Sequence, residues 1–290
     1  MSTQRDILVA LTVILGVTGC SAEKPAAVLV TRPAPIDVEQ APTAIECNAQ
    51  AVLRGVVSFE GDPPVAEDLT QQMKDHGDRD CCLQGKDAAK GRSWVVNNGR
   101  VANVAVWLRP PKGAYFALQS DELDVPTHVD FMIRHCQLEP RVVVAFAEAF
   151  DATRRRMKST EQQFRITSDS AVNHCFPVFY RGRSPTMYPG LQRGDVRAGE
   201  LTPSARDPMR VNCAIHQWMG SYLWALDTPF AAVTKEDGSY EIKGVPAGAD
   251  LMVTFWHEKA GFFHSNGNAG GTRIRLKPGD NVYDVSVKAK

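Results

Sequence analysis

Arg210-Val211-Asn212-Cys213-Ala214-Ile215-His216-Gln217-Trp218-Met219 decides how this chain folds. The stretch leaves one strand-like run and enters another at 221–226, so Cys213, His216 and Met219 fall in a tight loop between two strands. A thiolate, an imidazole and a thioether within seven residues make a compact set of soft donors, which suits copper. A complete set needs a second imidazole from elsewhere, and His174 supplies a candidate 39 positions before Cys213. Plainer roles stay open. Cys213 has Cys136 or Cys175 as possible disulfide partners, His216 fits a hydrogen-bonded loop, and His174 fits simple packing beside Cys175. Trp218 reads as a hydrophobic lid. His257 reads as a structural hydrogen-bonding residue more readily than as a further metal ligand.

Outward from that loop, the chain from residue 52 is written in short strands. Runs at 52–59, 101–108, 141–146, 164–167, 222–226, 251–256 and 282–287 alternate apolar with polar residues or concentrate Val, Ile, Phe, Tyr and Trp. Turn residues separate them, among them Asn97-Asn98-Gly99, Asp237-Gly238, Pro246-Ala247-Gly248 and Pro278-Gly279-Asp280. Asp237-Gly238 between 231–233 and 240–242 predicts a β-hairpin. Helical periodicity is confined to 65–76 and 151–162. Many short strands with two short helices predict an all-β chain of sandwiches or barrels.

The loop 213–219 resembles the copper-binding loop of cupredoxins. More closely, 211–258 resembles the plastocyanin-like, "methylamine utilization"-type proteins of Planctomycetes and related bacteria. Their Cys-x-Ile-His-Pro-Trp-Met loop is matched from Cys213 to Met219. Their following segment is matched by Pro229-Phe230-Ala231-Ala232-Val233-Thr234-Lys235-Glu236-Asp237-Gly238-Ser239-Tyr240-Glu241-Ile242, then by Val245-Pro246-Ala247-Gly248 and Trp256-His257-Glu258. Upstream, Cys136-Gln137-Leu138-Glu139-Pro140 and Ala102-Asn103-Val104-Ala105-Val106-Trp107-Leu108 resemble further strands of that family. The resemblance implies a cupredoxin-like Greek-key sandwich with a mononuclear copper held by His174, Cys213 and His216. Met219 is either a weak axial ligand or a packed neighbour. The sequence departs from the pattern at Cys175, where an Asn is usual, and at Gln217, where Pro is usual. Separately, 233–248 with 251–256, and 53–64 with 101–108, resemble a prealbumin-like or carboxypeptidase-regulatory-like β-sandwich. The expected organisation is this second sandwich in two parts, 51–119 and 228–290, with the copper domain at 120–227 inserted between them. Two domains in series is the alternative.

The N-terminus reads as a targeting signal over 1–19. Arg5 precedes an apolar run from Ile7 to Gly19, too short for a stable bilayer span. Leu15-Gly16-Val17-Thr18-Gly19-Cys20 resembles a bacterial lipobox, which implies lipidation at Cys20 and a membrane anchor. Ser21 after the cysteine implies a periplasm-facing protein of the outer membrane. Residues 20–50, rich in Ala and Pro, read as a tether. Of the seven cysteines, Cys47, Cys81, Cys82, Cys136 and Cys175 have no assigned role beyond pairing, and Cys81 or Cys82 is a candidate partner for Cys136. With 33 basic and 33 acidic residues the chain lacks the basic excess of a nucleic-acid binder. The functional expectation is a one-electron copper carrier with a redox protein partner in the periplasm. A copper storage or delivery protein and a metal-free interaction module are the alternatives. No nucleophile–base pair, phosphate loop or second copper cluster marks an enzyme.

Overall fold

The structure is a computed structural model that describes residues 42–47, 50–85, 87–118, 125–178, 186–204, 206–265 and 270–290. The targeting signal, Cys20 and most of the tether lie outside the described residues. The expected all-β class holds: the described residues form short strands in several sheets, with two helices, α1 (Thr70–Lys74) and α2 (Arg79–Cys82). Among the described residues no helix is long and apolar enough to cross a membrane.

Strand Gln50–Phe59 sets the first sandwich. Its side chains alternate between core and surface, burying Ala51, Leu53 and Val57. It pairs antiparallel with Ser239–Pro246 and parallel with Gly279–Val282 and Val285–Val287. The facing sheet runs Ala231–Val233, Ala105–Arg109, Asp250–His257, Gly261–Phe263. One buried cluster, from Ala51 to Phe116 and from Phe230 to Val287, fills the space between.

A second cluster holds Phe131, Ile133, Phe164, Ile166, Phe176, Val211, Leu223 and their neighbours, together with Cys81 and Cys82. Its walls are a four-stranded sheet (Val196–Glu200, Gln163–Ser168, His128–Arg134, Gln137–Glu139) and a three-stranded sheet (Met209–Asn212, Gly220–Leu226, Val142–Phe146). A hairpin of His174–Val178 with Thr186–Leu191 completes it. The two clusters meet at Trp107, Trp224 and Trp256, with Ala105, Val142 and Leu226.

Several sequence expectations are corrected. The 151–162 helix is a hairpin of Glu148–Asp151 with Arg156–Ser159. Asp151 Oδ1 accepts the Arg154 N–H and Arg155 takes a positive φ, so the segment turns instead of coiling. The 65–76 helix shrinks to α1, where Asp68 Oδ1 accepts the Thr70 N–H and fixes a late start. Asp237-Gly238 does make a turn, closed by the Lys235 N–H donating to Ser239 O. Its flanking strands, however, enter opposite sheets instead of pairing. The 101–108 run is likewise split: Asn103 has φ +62, and the chain leaves one sheet at Val101 and joins the other at Ala105. The 282–287 run breaks where the Asp284 carboxylate takes the Val56 N–H out of the ladder. The tether, expected to reach residue 50, stops short, because Thr43–Glu46 pairs parallel with Ala114–Ala117.

Candidate metal centre

Strands Met209–Asn212 and Gly220–Leu226 pair in register, Asn212 opposite Gly220, and hold residues 213–219 as the loop between them. Alternation carries the inward direction of Val211 on to Cys213, and both are buried. Backbone bonds close the loop on itself: the Cys213 N–H donates to Met219 O at 3.2 Å, and the Met219 N–H donates to His216 O at 2.9 Å. A third bond, from the Ala214 N–H to Cys175 O at 2.8 Å, fastens the loop to the strand that begins with His174. The tie to the 213–219 loop at position 175 is thus made by the backbone carbonyl and does not depend on the Cys175 side chain.

This brings the three expected donors together. Cys213 Sγ lies 3.9 Å from His174 Nδ1 and 3.7 Å from His216 Nδ1. The three side chains form one of the clusters able to hold an ion. The His216 N–H also points at Cys213 Sγ, at 3.4 Å. Both imidazoles are fully shielded from solvent. Burial, followed by the neighbouring His216, pushes His174 down to about 4, and burial also lowers His216. Both rings are therefore neutral at pH 7, which leaves one nitrogen lone pair on each free for a cation. Among the described residues His174 Nε2 has no hydrogen-bond partner, while its Nδ1 faces Cys213 Sγ.

The donor set fits a metal. Bonds of about 2.0 Å to nitrogen and about 2.3 Å to sulfur, spread at about 120°, place the two donors about 3.7 Å apart. The two observed sulfur–nitrogen separations, 3.7 and 3.9 Å, are close to that distance. Met219 is buried beside the cluster, with its backbone fixed by the two loop bonds. Trp218 packs edge-on against His216 at 5.3 Å between ring centroids, as a lid would.

Two neighbours were invisible in the sequence. Asp78 Oδ2 accepts from His216 Nε2 at 3.0 Å, and the His76 ring lies 4.7 Å from the His216 ring. Both come from the α1–α2 segment, more than 130 residues upstream, and no local signal marks them. The disulfide is Cys82–Cys136, while Cys81, Cys175 and Cys213 are free thiols. Neither disulfide open to Cys213 in the sequence is therefore formed. His257 stands apart from the cluster. It stacks on Trp94 at 3.9 Å and accepts the Lys259 N–H at Nδ1, so its role is structural.

No family model matches the chain, and no curated protein matches it. Among solved structures, a Cu-containing nitrite reductase from Thermus scotoductus SA-01 matches at 15% identity and a TM-score of 0.26. The match covers 36% of this chain and 23% of that one, so this chain spans less than a quarter of that protein's length. A likeness of that size carries no argument, and the site rests on its own geometry.

Proposed function

We propose that this chain is a copper-binding envelope protein that carries one electron at a mononuclear cupredoxin-type site. The observation that carries the reading is the convergence of Cys213 Sγ with two buried, neutral imidazole Nδ1 atoms at 3.7 and 3.9 Å. Copper held there by Cys213, His174 and His216 would supply a one-electron couple. Cys213 provides the thiolate, and the His216 N–H offsets part of its charge. His174 and His216 provide neutral nitrogens, and Met219 is the proposed axial neighbour. The loop bonds and the Ala214–Cys175 tie hold these donors in place, so little rearrangement accompanies gain or loss of an electron.

Storage or delivery is the weaker reading, because His216 is sealed from solvent and a cargo ion needs an exit. A metal-free interaction module is weaker still, because it requires Cys213 in a disulfide. We read the unit of about residues 120–227 as an insert in a carboxypeptidase-regulatory-like sandwich. The antiparallel pairing of Gln50–Phe59 with Ser239–Pro246 supports this. Lipidation at Cys20, a periplasm-facing place on the outer membrane and a redox protein as partner complete the proposal.

The test is spectroscopic. The chain from residue 21 is titrated with Cu(II), and visible and electron-paramagnetic-resonance spectra are recorded with Cys213→Ser as control. An intense sulfur-to-copper band, absent in the variant, is the expected result. Protein that stays colourless and metal-free overturns the proposal.

A further inference from the structure

Asp78 occupies the N-cap position of α2, where aspartate ordinarily accepts a backbone N–H of the helix's first turn. It makes no such bond. The Cys81 and Cys82 N–H groups go instead to the Asp78 backbone carbonyl, both at 3.0 Å. The carboxylate, freed from capping, lies 3.0 Å from His216 Nε2. A favourable local bond worth about 1 kcal/mol is thus forgone for a distant imidazole.

His76, Asp78 and His216 also qualify by spacing as an ion site. The hydrogen bonds argue otherwise. His76 Nδ1 already accepts the Asp78 N–H at 3.1 Å, and the His216 Nε2 proton is committed to Asp78 Oδ2. The ring nitrogens on the Asp78 side therefore offer no free lone pair, and the trio works as a hydrogen-bonded cover. That cover is fastened on both sides of the cluster. Cys82 is bonded to Cys136, in the turn between His128–Arg134 and Gln137–Glu139. Cys81 Sγ meets Ser170 Oγ at 3.6 Å, on the segment that leads to His174.

We infer that α1–α2 is a cap over the metal centre and that Asp78 is a positioning residue, which fixes His216 with its proton on Nε2 and its Nδ1 lone pair facing Cys213 and His174. The inference rests on the metal reading for its purpose but not for its geometry. A histidine ligand is held in one tautomer by the partner of its other nitrogen, and loss of such a partner typically weakens metal binding about 10–100-fold. Here that partner is supplied by a segment outside the ligand loops. The rings of His76 and Trp218 pack on the buried His216 and on each other, which completes the cover.

The test begins with the full chain free of metal. Ring-nitrogen NMR of His216 is expected to show the Nε2–H tautomer, with that proton protected from exchange. A wild-type His216 protonated at Nδ1 overturns the inference without any variant. Asp78→Ala should populate the Nδ1–H tautomer and lower copper affinity about 10–100-fold, while a thiol count still finds the disulfide formed. Asp78→Asn, whose amide oxygen can accept the same proton, should restore the tautomer and most of the affinity. A wild-type tautomer and affinity in Asp78→Ala overturn the inference. If the wild type binds no copper, the metal reading falls while the tautomer result still judges Asp78.

Discussion

His174 and His257 are both buried and both held neutral, yet only His174 faces another donor. Burial first, and then the Arg141 and Lys259 cations, press His257 down to about 3. An unfolded histidine titrates near 6.5. Between those values the unfolded chain takes up a proton that the folded chain refuses, so stability is complete above about pH 6.5 and falls as the pH drops towards 3. A single such group contributes a slope of about 1.4 kcal/mol per pH unit. His174 adds a slope of the same sign in metal-free protein, so the contribution of His257 is isolated by a difference. In His257→Gln, whose side-chain oxygen can still accept the Lys259 N–H, the slope from position 257 should vanish. Urea midpoints of the two proteins at pH 7, 5.5 and 4.5 should therefore converge as the pH falls. Parallel profiles would show that burial of His257 exacts no proton-linked cost.

The α1–α2 segment shows what a linear sequence hides. The meeting of Cys213, His216 and His174 was legible because Cys213 and His174 adjoin strand-like runs and His216 lies in the short loop between two of them. Most strands were legible as such runs. Sheet membership was not. The strands flanking Asp237-Gly238 alternate as hairpin partners would, but their partners are Ala105–Arg109 and Gln50–Phe59, over a hundred residues away. Asp78 and His76 escaped because a helix of four residues has no periodicity to read, and because side-chain contact across 138 positions leaves no local trace. The disulfide gives that segment its fixed place. Its cross-link spans 54 residues, for which loop-closure entropy predicts about 4 kcal/mol of stabilisation. Cys82→Ser with Cys136→Ser should lose about 2–4 kcal/mol of stability. It should also surrender copper to an excess of chelator at least about tenfold faster, the affinity loss expected when a ligand's partner is released. Stopped-flow decay of the sulfur-to-copper band measures the rate. A destabilised variant that releases copper at the wild-type rate would show that the cap stays closed without its staple.

At the scale of the molecule the question is whether the two cores fold separately. Trp107 and Trp256 belong to the sheet of the first sandwich and Trp224 to the loop-bearing strand of the second, yet their rings form one cluster. Centroids lie 5.0 Å apart for Trp107–Trp224 and 5.5 Å apart for Trp224–Trp256. Arg141 and Glu258 bridge the same seam through two hydrogen bonds of 2.6 Å, and both side chains are largely buried. Such a pair is costly to break one partner at a time, which adds to the coupling. Strand Gly220–Leu226 therefore serves two purposes: its first residue closes the 213–219 loop, and its Trp224 anchors the other sandwich. Wild-type protein should unfold in a single calorimetric transition, because exposing one core strips apolar cover from the other. Trp224→Ala removes a fully buried ring at the seam and should cost about 3–5 kcal/mol. It should also split the transition in two, with the core that carries the 213–219 loop melting first because its strand loses its main anchor. Two transitions already present in the wild type would mean that the seam is mere contact, and the 213–219 loop would then owe its rigidity to its own hydrogen bonds and to the α1–α2 segment.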